Sequence, residues 1–231
     1  MEFSTLNESN LHSTLKNMYA EIYDGKTEIC QNGYVYDIIA SDNTVIEIQT
    51  KNLSQLKNKL EDTIKKNQKV KLVHPVIINK RIITYDNDGK VLSNRKSPKK
   101  GNFYDIFKEL TQIYPLLLNE NFSLEILEIN MTEERIKDLE LVQSANKKRR
   151  FKKDWIKSNK KLDEILNTKI LYSKEDFLSL LPKELPDLFC AKDINKAMNS
   201  KNGNLLIWIF VRMGLIKYIS KKGNTKFYKV N

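Results

Sequence analysis

The chain has 231 residues, 40 Lys or Arg against 29 Asp or Glu, and a formal net charge of +11. A charged share of 30% beside a hydrophobic share of 40% excludes a wholly disordered chain, and the length is enough to bury one large core or two small ones. The longest apolar run, residues 205–211, falls far short of the ~20 residues of a bilayer span, and the two cysteines, Cys30 and Cys190, exclude a disulfide framework or a cysteine-built zinc site. The opening Met-Glu-Phe-Ser lacks the basic start and apolar stretch of a signal peptide, so a cytoplasmic protein without membrane partners is expected.

The charge is unevenly placed. Residues 1–50 carry two basic and eight acidic side chains, residues 51–100 carry 14 and four, and residues 201–231 carry seven and none. Lysine-rich codon usage alone gives a uniform excess. Basic blocks flanking an acidic segment suit polyphosphate binding beside a divalent-cation pocket.

In chain order, Leu11, Leu15, Met18 and Tyr19 share one face of a helix over residues 9–20. A short strand is expected near residues 28–30. Residues 33–40 and 44–50, rich in β-branched and aromatic side chains, flank Ser41-Asp42-Asn43 and read as a β-hairpin. A helix follows over 52–66, with Leu53, Leu56, Leu60 and Ile64 on one face. Residues 70–78 form an apolar strand, and 81–85 pair with 90–92 across the Asp86–Gly89 turn. A basic loop over 93–101, a helix over 103–110 and a last strand over 122–129 complete this part. Residues 131–142 read as a charged helix, and the run from Lys147 to Lys153 reads as a boundary. Four helices are expected at 159–166, 173–181, 190–199 and 203–213, then a hairpin of 215–220 and 225–230.

A turn centred on Asp42 sets Asp37 opposite Glu47, with Cβ atoms ~5 Å apart. Gln49, two residues on, points to the same face. Two carboxylates so close repel unless a cation or proton lies between them, and Mg²⁺ commonly takes one or two carboxylates plus waters and substrate phosphates. Such an ion activates water for attack on a phosphodiester. Read alone, Asp37 as a strand end and Glu47 paired to a lysine are the simpler alternatives. His12 has a metal or packing reading, and Glu8, His12 and Lys16 lie at i, i+4, i+8 along one polar stripe, where Glu8 equally suits a helix N-terminus. His74, before Pro75, reads as structural.

The order helix, three strands, helix, strand, with Asp37 on one strand and Glu47-x-Gln49 on the next, resembles the PD-(D/E)XK (restriction endonuclease-like) nuclease superfamily. The resemblance covers about residues 9–78, with further elements to about 130. It implies an α/β core with a mixed central sheet, Mg²⁺ or Mn²⁺ held by Asp37 and Glu47, and a catalytic set of Asp37, Glu47, the third position Gln49, the helix acid Glu8 (Glu21 being the other candidate) and a lysine. Gln49 stands where Lys is usual. The cation would then come from the following helix, where Lys59 and Lys57 are candidates, or from Lys51.

Residues 159–231 resemble a winged helix-turn-helix domain. This implies DNA contacts from Lys201, Asn204 and Arg212 around the third helix and from Lys221, Lys222 and Lys226 on the wing. Arg95, Lys96, Lys99 and Lys100 of the basic loop are further phosphate candidates. The expected organisation is a nuclease-like domain over 1–145, a basic linker over 146–158 and a mostly helical winged-helix domain over 159–231. The whole, with EIQTKN, RKSPKKG and SKKGNTKFY, resembles a prokaryotic family joining these two domains. The expected function is a metal-dependent DNA endonuclease. The alternative is an inactive nuclease fold that binds DNA as a regulator or complex subunit. A homodimer is a further expectation, since restriction-like nucleases often dimerise to cut both strands.

Overall fold

A computed structural model describes residues 10–144, 147 and 149–231. Helix α1 (Asn10–Ile22) buries Leu11, Leu15 and Tyr19, spaced four apart on one stripe. Strands β1 (Lys26–Gln31), β2 (Tyr34–Ile39) and β3 (Val45–Ile48) follow as an antiparallel meander. Its second turn is closed by Asp42, whose carboxylate accepts from Thr44 N and Thr44 Oγ1 at 3.0 and 2.9 Å. A 3-10 turn (Leu53–Leu56) and helix α2 (Lys57–Lys65) carry the chain across to β4 (Val70–Tyr85), which pairs parallel with β3 from Val45↔Val70 to Ile48↔Val73. That parallel pairing needs a long crossover, and α2 supplies it.

β4 continues past the end of β3, turns at Asp86–Gly89 and returns as β5 (Val91–Lys96), which lines the edge of β4 that β3 has left. Gly89 takes the turn at φ +84°. A short helical segment with α3 (Phe107–Leu110) leads to β6 (Phe122–Val142), parallel to β4, and β7 (Lys153–Leu171) pairs antiparallel with β6. The sheet has seven strands in the order β1-β2-β3-β4-β6-β7, with β5 flanking β4. Helices α4 (Lys174–Leu178), α5 (Ala191–Ala197) and α6 (Gly203–Arg212) and the hairpin β8 (Ile216–Lys222) and β9 (Thr225–Val230) complete the chain.

The mixed α/β sheet is as expected from the sequence, but the chain is mostly strand. Residues 131–142 and 159–166, expected as helices, belong to β6 and β7. Residues 153–158, expected in a basic linker, are the start of β7. The helical unit therefore begins at Lys174. It shares a core with the sheet: Phe107 meets Phe210 edge-on at 5.9 Å, and Leu72, Leu124, Leu206 and Ile209 lie in one cluster. A second cluster fills the other face under α1, with Ile38, Ile46, Ile48, Val73, Leu127 and Ile129. Among the described residues no helix is long and apolar enough to cross a membrane.

Candidate functional site

The pairings Ile38↔Ile46 and Ile39↔Val45 are the register that sets Asp37 against Glu47. The ladder ends there. Tyr36 enters the core on the α2 side, whereas Ile38 enters the one under α1, so β2 changes face at Asp37. Facing it on β1, Glu28 holds φ +55°. The two carboxylates satisfy the backbone donors that the fork between β2 and β3 leaves over. Asp37 Oδ2 accepts from Ile48 N at 2.8 Å, and Glu47 Oε1 accepts from Asp37 N at 3.3 Å.

Lys59 reaches the fork from α2. Its Nζ lies 2.5 Å from Glu47 Oε1 and donates to Val35 O at 2.6 Å. It also sits 4.9 Å above the Tyr36 ring, whose hydroxyl is held by Thr63 one helical turn beyond Lys59. From the other face, His12 Nε2 lies 2.7 Å from Ile48 O and 3.3 Å from Asp37 Oδ2. Burial and the charge of Asp37 push the Glu47 carboxyl up to about 7, against the opposing pull of Lys59. Burial alone would raise Asp37 as well. The contact with His12, the Ile48 N–H and the Lys59 charge together hold it below its ordinary value.

Of the sequence candidates, then, Asp37, Glu47 and Lys59 come together. Gln49 does not join them: its side chain turns to Asn52 O at 3.4 Å, while its carbonyl meets the buried His74 Nδ1 at 2.6 Å. Lys57 pairs with Glu61, at 3.9 Å, and Lys51 is exposed. Lys16, of the same stripe as His12, pairs with Glu28 at 2.8 Å. Glu8 lies outside the described residues. His12 lies outside the catalytic set that the resemblance implies. Its signal was the polar stripe on α1, but the fork that brings it to Asp37 is not a local pattern.

The nucleic-acid candidates fall in two places. Arg95 and Lys96 end β5, and Lys99 and Lys100 follow in the exposed loop. Lys201 and Asn204 are exposed around the start of α6, and Lys221, Lys222 and Lys226 are exposed at the tip of β8–β9. Arg212 is not a free contact: its guanidinium stacks on Trp208 at 3.7 Å, and Trp208 meets Tyr114 edge-on at 5.2 Å. Among the described residues no group of three or more His, Cys, Asp or Glu is arranged to hold a metal ion. Two carboxylates are what the fork offers, with Asp37 Oδ1 and Glu47 Oε2 the oxygens outside the contacts above.

Over 229 residues the chain is 30% identical to a protein of Treponema pallidum (strain Nichols) named "Uncharacterized protein", an alignment that covers 99% of this chain and 88% of the relative. No solved structure matches. A family model described as "Domain of unknown function (DUF8091)" matches residues 9–172, which span α1 to the end of β7 and so include the acidic fork, Lys59 and the basic loop, and the chain belongs to that family.

Proposed function

We propose that the protein is a metal-dependent DNA endonuclease whose reaction centre is the fork of Asp37, Glu47 and Lys59. The observation that carries this reading is the convergence of two carboxylates and one ammonium at the end of a sheet ladder, with Lys59 Nζ 2.5 Å from Glu47 Oε1. The donor set fits Mg²⁺ or Mn²⁺: hard oxygens and two adjacent carboxylates, where burial and then the charge of Asp37 drive Glu47 towards its protonated form. A bound divalent ion at this fork supplies Lewis acidity and a lowered water pKa.

The chain's own residues have separate tasks. Asp37 and Glu47 present oxygens from adjacent strands whose positions are fixed by backbone hydrogen bonds. Lys59, held also by Val35 O, sets positive charge where a phosphodiester oxygen becomes more negative, and supplies from α2 the cation that Gln49 lacks. His12 braces Asp37 from the α1 side. The order of three helices and a hairpin in α4–α6 and β8–β9, with no acid in residues 201–231, supports a winged-helix role in placing the chain on DNA through Lys201, Asn204, Lys221, Lys222 and Lys226.

The test is cleavage of supercoiled plasmid with Mg²⁺ or Mn²⁺. Asp37→Asn and Glu47→Gln are expected to cost at least about a hundredfold, and Lys59→Met a similar factor. Full activity in Asp37→Asn sinks the reading. A second reading, a DNA-binding protein that does not cut, is favoured by the turning of Gln49 away from the fork. Its signature is salt-sensitive DNA binding by wild type with no cleavage in either metal.

A further inference from the structure

Beyond Lys96 the chain does not leave the sheet. Ser97 N donates to Lys80 O at 2.7 Å and Gly101 N to Ile78 O at 2.9 Å, so the loop runs along the open edge of β4 between the ends of β5 and β3. Gly101 is what allows it to lie so close. A Cβ there would stand 1.8 Å from Ile77 O. Between this loop and β6–β7 lies a cleft of about 670 Å³, lined by Lys80, Arg81, Lys96, Lys99 and Lys100, with Asp163 its one acidic wall. Asp163 is already occupied, accepting from Thr132 Oγ1 at 2.8 and 2.9 Å.

The pairing of these cations is uneven. Lys80 joins Arg135 and Lys157 on the buried Glu133. Among the described residues Arg81, Lys96, Lys99 and Lys100 form no ion pair. Cations gathered unpaired around a concave wall repel one another and focus positive potential into the hollow, which an anion relieves. The volume lies within the ~300–1,000 Å³ of ordinary ligand sites.

Position along the sheet indicates what kind of anion. Gln49 N bonds Val73 O, whereas Gly101 N bonds Ile78 O and Ser97 N bonds Lys80 O, all on β4. Five to seven strand residues separate these points, roughly 16–23 Å. At 3.4 Å per base step, that is about five to seven steps of a duplex. A single nucleotide does not reach from the fork to the loop, but a polynucleotide backbone does.

We propose that this cleft is a phosphodiester-backbone seat for duplex DNA, gripping the strand about five to seven nucleotides from the acidic fork. The span to the fork rests on the endonuclease reading, but the binding does not. The test is fluorescence anisotropy with a labelled duplex in EDTA across a salt series, using wild type, Lys96→Gln/Lys99→Gln/Lys100→Gln and Lys221→Gln/Lys222→Gln/Lys226→Gln. These lysines are exposed, so the variants are expected to fold, which their melting temperatures check. The cleft triple variant is expected to bind at least about tenfold more weakly near 100 mM salt, its log K–log salt slope shallower by about two to three. Wild-type affinity and slope in the cleft variant, with the loss confined to the wing variant, overturn the proposal. A wild type that binds through the cleft lysines but never cuts supports the seat and removes only the endonuclease reading.

Discussion

With its side chain 3% exposed, Glu47 stands between one cation, Lys59, and one like charge, Asp37. Its carboxyl is raised from 4.5 to about 7, so between those values the folded chain holds a proton there that the unfolded chain has released. Stability from this group is full below pH ~4.5 and is lost as pH rises through about 7. The melting temperature of wild type is therefore expected to fall between pH 5 and 8 relative to Glu47→Gln. Parallel curves contradict the burial argument. Asp37 acts with the opposite sign: its lowered value gives stability that is lost only as pH drops through its folded pKa. The Asp37–Glu47 opposition was legible because a turn fixed by Asp42 sets strand register. Lys59 was legible only as one of three lysines, since which of them reaches the fork depends on how α2 packs.

β6 and β7 are where local pattern misleads. Their pairing steps from Glu128↔Asn167 to Ile129↔Ile165, from Asn130↔Glu164 to Met131↔Leu162 and from Glu134↔Asn159 to Arg135↔Lys157, so Leu166, Asp163 and Ser158 are extra residues on β7. The bulge at Asp163 lets Leu162 and Ile165, three apart, both pack against the α1 core, the spacing a helix would show. Farther out, the strands leave the core and carry no apolar run to read, with Leu139 96% exposed. What holds this part of the sheet is Glu133, 1% exposed, with Lys80, Arg135 and Lys157 on its carboxylate. Burial alone would raise that carboxyl, but the hydrogen bonds of Lys157 and Arg135 and the charges of Lys157 and Lys80 hold it at about 2. Glu133→Ala leaves these cations unpaired and is expected to cost about 3 kcal/mol in denaturant unfolding. A loss under about 0.5 kcal/mol would show the network to be passive.

At the scale of the molecule, the helical unit completes the core rather than hanging from a linker. Phe210 is fully buried beside Phe107, Asn202 Nδ2 donates to Tyr104 O at 3.1 Å, and Asn102 Nδ2 donates to Met198 O at 3.2 Å. Phe210→Ala is expected to destabilise by about 3–5 kcal/mol and to leave a single unfolding transition. Two separate transitions would show that the units fold apart. The C-terminal elements α5, α6 and the hairpin were readable from apolar spacing and the Lys221–Asn224 turn, but their docking on residues 102–110 was not, since the apolar side of α6 does not name the surface it packs against.

The central claim, that Asp37 and Glu47 together hold a divalent cation for phosphodiester cleavage, is tested most directly by calorimetric titration of Mn²⁺ into wild type, Asp37→Asn and Glu47→Gln. Binding in wild type that is lost in both variants is the expected result. Equal binding in all three proteins, or none in wild type, contradicts it.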